Sequence, residues 1–333
     1  GEYFHHNRFN IELSSWMFIS LLWYYQIYKC FEKMRKVITA GNKTDIDVLA
    51  CAVAYKNILN LLWEDAVISV SNEFGWTVPK FIFERWFGLD KVNIENDDEI
   101  IIVDLSHPDY INKNVNQDNI IEIRDHHPWF ENYRKEKIWN KSIIEPIWAC
   151  ATLIYEQAKK LGLVAKLEKY SIDLLMTAIL SNTLNFKAQI TKERDILAYD
   201  ELRKISTLPT NWTEIYFRGV WKNLVENSKE ALINDTKILE LGWKPVVIWQ
   251  IELRESRDFM IENKELIEDI MTAYGNKNRV YTSPSISEWV NYIFTKSDFV
   301  KKLFSEILWT KFDGDIWTTD KLWLRKEIWK DLM

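Results

Sequence analysis

The sequence predicts an α/β protein in which an N-terminal domain, with a parallel sheet flanked by helices, is followed by a smaller C-terminal mixed α/β domain. Three observations carry that expectation. Apolar runs at 66–70, 99–104 and 119–123 have the length and β-branched content of buried strands. The segments between them are long enough for the helical crossovers that parallel strands require. Several runs stop on carboxylates or imidazoles, which puts polar chemistry at strand carboxyl ends, where open α/β sheets bind ligands.

Taken in order, residues 1–33 hold an aromatic, apolar stretch (13–28) interrupted by Ser14, Ser15, Ser20 and Gln26. It falls short of the roughly 18 clean apolar residues of a membrane span, and it lacks a small-residue cleavage site. A strand-like run starts right after Met34, so the expectation is that Met34 is the true start and 1–33 is translated upstream sequence. The chain then reads as strand, glycine turn (Gly41) and helix, with Asp45 and Asp47 in the turn and small apolar residues at helical density over 48–55. In an extended turn, alternate residues can point two carboxylates at different metal ions. Used structurally instead, the first aspartate would cap the helix.

The strand at 99–104 closes on Asp104, a carboxylate that is costly to bury unless paired or metal-bound. The run 119–123 leads into Asp125-His126-His127-Pro128. One carboxylate beside two imidazoles offers hard oxygen and borderline nitrogen donors, a set suited to manganese, magnesium, iron or zinc. Alone, the triplet could equally be a surface turn; its place at the end of a buried strand argues for a site. Helical spacing follows at 151–158 and 172–180, the latter ending in Ser181-Asn182, then from Thr191 through Leu202 and again after Pro209. The polar stretch 222–227 reads as a linker, which sets domains at 34–221 and 228–333. Beyond it come a hairpin-like pair around 241–245, a strand at 246–253, a charged helix over 257–274, and an end carrying Arg325 and Lys326. Lys237, Arg325 and Lys326, read singly, are solvated charges.

Composition limits the function classes. The 333 residues suffice for two domains with real cores. A net charge of −6, from 43 basic and 49 acidic residues, gives no broad basic face for nucleic acid. Three scattered cysteines make neither a disulfide framework nor a zinc cluster, and fit a reducing, cytoplasmic setting. The chain carries 17 Trp against 9 Gly, where ordinary usage of about 7% would give roughly 23 glycines. Trp63 follows a helix-like run, and Trp129 and Trp139 fall in turns, all places for glycine. Many of these tryptophans are therefore expected to be glycines, from a code in which UGA specifies Gly.

Assembled, these residues give the chain from Met34 onward a resemblance to the DHH phosphoesterase superfamily, closest to the family II manganese-dependent inorganic pyrophosphatases and the exopolyphosphatases. Gly41-Asn42-Lys43-Thr44-Asp45-Ile46-Asp47 resembles the first motif, Val103-Asp104 the second, Asp125-His126-His127 the third and Ala178-Ile179-Leu180-Ser181-Asn182 the fourth; Leu324-Arg325-Lys326 resembles the C-terminal Ser-Arg-Lys signature. The family also carries Gly where Trp148 stands. Two positions depart from the pyrophosphatase pattern: Asn42 stands nearest the place of a metal-binding His, and Asn182 replaces a metal-binding Asp.

The resemblance implies a hydrolase using two divalent ions, manganese foremost with magnesium or cobalt as alternatives. Asp104 would bridge the two ions, Asp45 would hold one, and Asp47 with His126 the other, while Asn42 and Asn182 would stand at ligand positions. His127 would donate to the substrate phosphate, and Lys237, Arg325 and Lys326 would clamp phosphoryl oxygens from the second domain. The implied substrate is pyrophosphate or short polyphosphate, with no nucleic acid or membrane partner, and the family commonly forms homodimers. Two alternatives stand beside it: a catalytically weakened relative that binds phosphorylated ligands or proteins, and a phosphodiesterase on short oligonucleotides or cyclic dinucleotides.

Overall fold

The structure, a computed structural model, describes residues 34–85, 92–188, 191–253, 255–308 and 314–330. The segment 1–33, and with it the expected upstream extension, lies outside the described residues. The first half runs β1 (Lys36–Thr39), α1 (Ile46–Leu61), β2 (Ala66–Ile68), α2 (Lys80–Arg85), β3 (Glu99–Val103), β4 (Ile120–Asp125), α3 (Glu131–Ile138), β5 (Ser142–Ile144), α4 (Cys150–Lys160), α5 (Lys169–Asn182), α6 (Glu193–Ile205) and α7 (Trp212–Glu226). Its five strands form one sheet in the order β2-β1-β3-β4-β5, every pair parallel.

Alternation along the strands explains why both faces are covered. Ile38, Ile101 and Val103 face a core built from α1, α4 and α5, whereas Val37, Ile100 and Ile102 face a second cluster with Ile120, Ile123 and Ile111. The order reverses between β1 and β3, so the loops leaving these two strands part company there and open a crevice at their carboxyl ends.

The second half runs α8 (Ser228–Asn234), β6 (Thr236–Leu241), β7 (Lys244–Gln250), α9 (Ser256–Glu262), α10 (Lys264–Ala273), β8 (Arg279–Ser285), β9 (Val290–Phe294), α11 (Asp298–Leu308), β10 (Ile316–Thr318) and α12 (Arg325–Lys330). The sheet order is β10-β9-β8-β7-β6, antiparallel except for the parallel pair β7 and β8. One face buries Trp249, Tyr281 and Phe294 against α9 and α10; the other buries Ile248, Val280 and Ile293 against α11.

Two expectations change. The stretch 222–227 is no extended linker: residues 222–226 are the last turns of α7. Lys222 and Glu226 are exposed, Asn223 donates to the Trp76 carbonyl at 3.1 Å, and Val220 packs into the first core and Leu224 into the second, so one helix joins the two cores. The charged helix expected over 257–274 is two helices, α9 and α10, separated at Asn263.

The tryptophans behave as the composition suggests. Trp63, Trp129 and Trp139 have φ of 61°, 89° and 47°, and Trp243 and Trp289 join them at 63° and 68°. Positive φ is a genuine outlier for a bulky residue. Trp63 stands just past α1, where helices commonly end on a left-handed glycine. Trp243 and Gly242, both left-handed, form the two-residue turn between β6 and β7, a geometry dominated by Gly and Asn. Trp243 is 98% exposed, so no packing of its indole accounts for its backbone, and Trp63 is 88% exposed. Trp148, expected in the same class, is not among the left-handed residues.

Candidate metal centre and the cavity between the domains

The site is assembled from the carboxyl ends of β1, β3 and β4. Asp104 directly follows β3 in a left-handed conformation, φ 56°, pinned by its N–H donating to the Arg124 carbonyl of β4 at 2.7 Å. That turn aims its carboxylate at the histidines that follow β4: His126 Nε2 lies 3.2 Å from Asp104 Oδ1. One donor atom from each of Asp104, His126 and His127 falls within 4.8 Å of the others.

Hydrogen bonds fix the direction of each ring. His126 Nδ1 lies 3.1 Å from the Ile147 carbonyl, which can only accept, so Nδ1 carries the proton and Nε2 faces Asp104. His127 Nδ1 lies 2.8 Å from Asp125 Oδ1, leaving Nε2 toward the cavity. Asp125 is fully buried and also accepts from the His126 N–H at 2.7 Å. Burial pushes its carboxyl up, but the His127 hydrogen bond and the neighbouring imidazoles outweigh this and bring it down to about 2. Asp125 therefore orients His127, as carboxylates do for metal-ligating or phosphate-facing imidazoles.

The two aspartates of the first motif do different work. Asp45 caps α1, its Oδ1 accepting from the N–H groups of Asp47 (3.0 Å) and Val48 (2.9 Å), and it also lines the cavity. Asp47 is fully buried. Its Oδ2 accepts from the Cys150 N–H at 2.8 Å and from Asn182 Nδ2 at 2.5 Å, and its Oδ1 accepts from the Ala151 N–H at 2.8 Å. Burial, then the Asp104 carboxylate, push the Asp47 carboxyl well above its ordinary range. Asp195, also fully buried, accepts from the N–H groups of Trp148 (3.2 Å) and Ala149 (3.4 Å) and from Thr152 Oγ1 (2.7 Å). Two carboxylates thus satisfy four consecutive amides at the N-terminus of α4, where partial positive charge accumulates.

The described residues fit a divalent cation. The Asp47 carboxylate feels those of Asp104 and Asp45, and the His126 Nε2, its lone pair outward, faces Asp104. This set repels itself unless a proton or a cation lies between.

The metal-type cluster opens into a cavity of about 530 Å³ whose far wall is the second domain. Lys237 of β6 and Arg325 at the start of α12 line it, with Gln250, Glu252 and Asp235. Arg325 is held by Asp235, Nη2 donating to Oδ1 at 2.9 Å. Burial and the Asp235 carboxylate raise the Glu252 carboxyl. The apolar part of the wall includes Trp148, whose ring stands edge-on to His126 at 6.4 Å between centroids.

Of the sequence-derived positions, Asp45, Asp104, His126, His127, Asn182, Lys237 and Arg325 meet at this cavity. Asp47 stands behind it, within electrostatic reach of Asp104 and His126. Asn42 is exposed and does not line the cavity; its neighbour Lys43 does. Asn182 directs its amide nitrogen at Asp47, as a donor to a carboxylate. The side chain of Lys326 lies outside the described residues.

Asp195, Asp235 and Glu252 were not picked out from the sequence. Locally Asp195 only caps its own helix, accepting from the Lys192 N–H at 3.1 Å; its partners at α4 are about four dozen positions away, and no local pattern announces them. Gln250 and Glu252 had one: polar residues alternating at the end of the apolar run 246–253 mark a strand end facing a site.

Fold and site together define a two-domain α/β protein with a metal-type donor cluster at the switch point of a parallel sheet, faced by cations from a second domain built on a mixed sheet. The chain resembles the family II inorganic pyrophosphatases of the DHH superfamily in both sequence and fold. It is 25% identical over 250 residues, 73% of this chain and 79% of the relative, to a probable manganese-dependent inorganic pyrophosphatase of Bacillus mycoides. A protein of the same description from Bacillus cereus is 25% identical over 239 residues, 70% of this chain and 76% of its own length. The crystal structure of a putative family II inorganic pyrophosphatase from Methanococcus jannaschii superposes with a TM-score of 0.62 at 20% identity, covering 90% of this chain and 99% of that one. No family model matches the chain. Among the described residues, no helix is long and apolar enough to cross a membrane.

Proposed function

We propose that the protein is a manganese-dependent hydrolase of phosphoanhydride bonds, acting on pyrophosphate or short polyphosphate. The observation that carries this reading is that the Asp104, His126 and His127 cluster and the cations Lys237 and Arg325 line opposite walls of one cavity.

Asp104 and His126 would hold the cation, with Asp45 and Asp47 adding negative charge beside it. Bound there, divalent manganese would supply Lewis acidity toward a phosphoryl oxygen and toward water. His127, kept in one tautomer by Asp125, presents Nε2 to the cavity as a hydrogen-bonding group for a phosphate oxygen. Arg325, locked by Asp235, offers a planar fork to an oxyanion, and Lys237 adds a point charge. These cations act on the charge that grows on the leaving phosphate.

Asn182 supports the second reading, a weakened relative that binds phosphorylated ligands. A neutral amide stands where the resemblance implies a carboxylate, and it is engaged with Asp47. Release of phosphate from pyrophosphate and tripolyphosphate, and of mononucleotide from a dinucleotide, each with manganese and with magnesium, separates the readings. Turnover of the first two with manganese is expected; binding of pyrophosphate without release would favour the weakened relative, and release from the dinucleotide alone would favour a phosphodiesterase.

A further inference from the structure

A second cavity, of about 480 Å³, lies on the opposite face of the first sheet from α1, between α3 and the segment 108–120. Arg134 of α3 is 3% exposed and lines it. Its Nε donates to the Ser106 carbonyl at 2.8 Å, and its Nη2, also buried, has no hydrogen-bond partner among the described residues. Burial lowers the Arg134 pKa, against the opposing pull of Tyr133, whose ring centroid lies 5.2 Å from the guanidinium carbon, and of the Asp125 carboxylate. Leaving guanidinium donors unmatched in a protein interior is costly. Lys137, one helical turn further along α3, lines the same cavity and is exposed.

The geometry points to a site for a small oxyanion of the phosphate type, held by Arg134 from the floor and by Lys137 from the rim. A guanidinium whose Nε is already engaged presents its remaining N–H groups as a planar pair, which two oxygens of one phosphate group can match. The apolar walls, Ile120, Ile123 and Ile138, lower the local dielectric and strengthen that pairing. Asp109 and Asp118 at the rim are exposed, so their opposition is screened by solvent. Ser106 stands two residues past Asp104, so the same guanidinium ties this cavity to the turn that aims the metal-type cluster. The site does not depend on the proposed hydrolysis.

The test uses the full chain carrying Lys237→Ala and Arg325→Ala, stripped of metal with a chelator, so that the interdomain cavity no longer competes for the probe. Inorganic phosphate is titrated, following both heat of binding and thermal midpoint. Saturable binding with a rise in midpoint is expected, abolished by Arg134→Met and weakened several-fold by Lys137→Ala. Absence of saturable binding in that background, or binding unchanged by Arg134→Met, overturns the site. Should Arg134→Met fail to fold, Lys137→Ala decides, because an exposed lysine can be removed without loss of the fold; unweakened phosphate binding in that variant overturns the proposal.

Discussion

Trp243 shows how much one residue's backbone can say. A left-handed conformation costs a residue with a Cβ roughly 1–2 kcal/mol, and an indole with nearly all its surface in water recovers none of it by packing. Trp63, Trp129 and Trp139 share the conformation. Peptide mass spectrometry of the protein isolated from its own cells is expected to read glycine at 63, 129, 139, 243 and 289; tryptophan there would refute a recoded UGA. In the chain as written, Trp243→Gly should raise unfolding stability by about 1 kcal/mol in urea, whereas Trp249→Gly, which empties a fully buried position, should lower it by several.

Asn182 is the other informative residue. Its amide donates to Asp47 at 2.5 Å, so Asn182→Asp sets two carboxylates against each other. Unit charges 4 Å apart repel by about 4 kcal/mol at an effective dielectric of 20. The variant should therefore lose several degrees of thermal midpoint in chelator and recover most of it with manganese. Equal midpoints for variant and parent in chelator would show that the Asn182 amide does not matter to Asp47.

At the scale of elements, the N-terminus of α4 is the part on which the site rests. Asp47 and Asp195 divide its free amides between them, and Asp47 in turn sits behind Asp104. Asp195→Ala removes the partner of Trp148 N–H, Ala149 N–H and Thr152 Oγ1, at a cost of about 2–3 kcal/mol. Urea unfolding measures it; a loss under half a kilocalorie, roughly the effect of an ordinary surface change, would mean that water replaces the cap.

The base of the first sheet is pinned differently, by Arg35 with Asp98: Nε donates to Oδ1 at 2.8 Å and Nη2 to Oδ2 at 2.7 Å. The Arg35 hydrogen bond holds the Asp98 carboxyl below its ordinary range. A depressed carboxyl adds stability that is fully present above the unfolded value, about 3.9, and disappears as pH falls through the lower folded value. Arg35→Met should therefore lower stability at neutral pH, where the pair contributes in full, and flatten the acid limb of the stability curve below about pH 4, where that contribution is already lost in the parent. An unchanged acid limb would exclude the pair as a contributor.

At the scale of the whole molecule, the proposed chemistry requires two domains to face one cavity, and α7 runs from one core into the other. Arg325 and Lys237 belong to the second domain and the metal-type cluster to the first, so the functions should separate by mutation. Arg325→Ala is expected to lower kcat for pyrophosphate by about 100-fold or more, the scale of a lost oxyanion donor, while leaving manganese affinity within about two-fold by calorimetry, because it touches no metal-type donor. A large loss of manganese affinity would place Arg325 in the wrong role.

The sequence by itself determined four of the five strands of the first sheet, their parallel pairing and the three polar strand ends, because a buried parallel strand leaves an apolar run that stops where the chain must meet a ligand; the short, half-buried β5 left no such run. It also showed the shortage of glycine. Only the tertiary structure decided which donors meet. Asp45 and Asp47, two positions apart in one turn, separate into a helix cap at the cavity and a buried partner of α4, since helix geometry turns successive side chains to different sides. Asp195 reaches the same helix end from a distant segment, which no local pattern encodes. The stretch 222–227 looked like a linker because most of its residues are polar; in three dimensions residues 222–226 end a helix whose apolar positions are claimed by both cores and whose Asn223 is bonded to the Trp76 carbonyl.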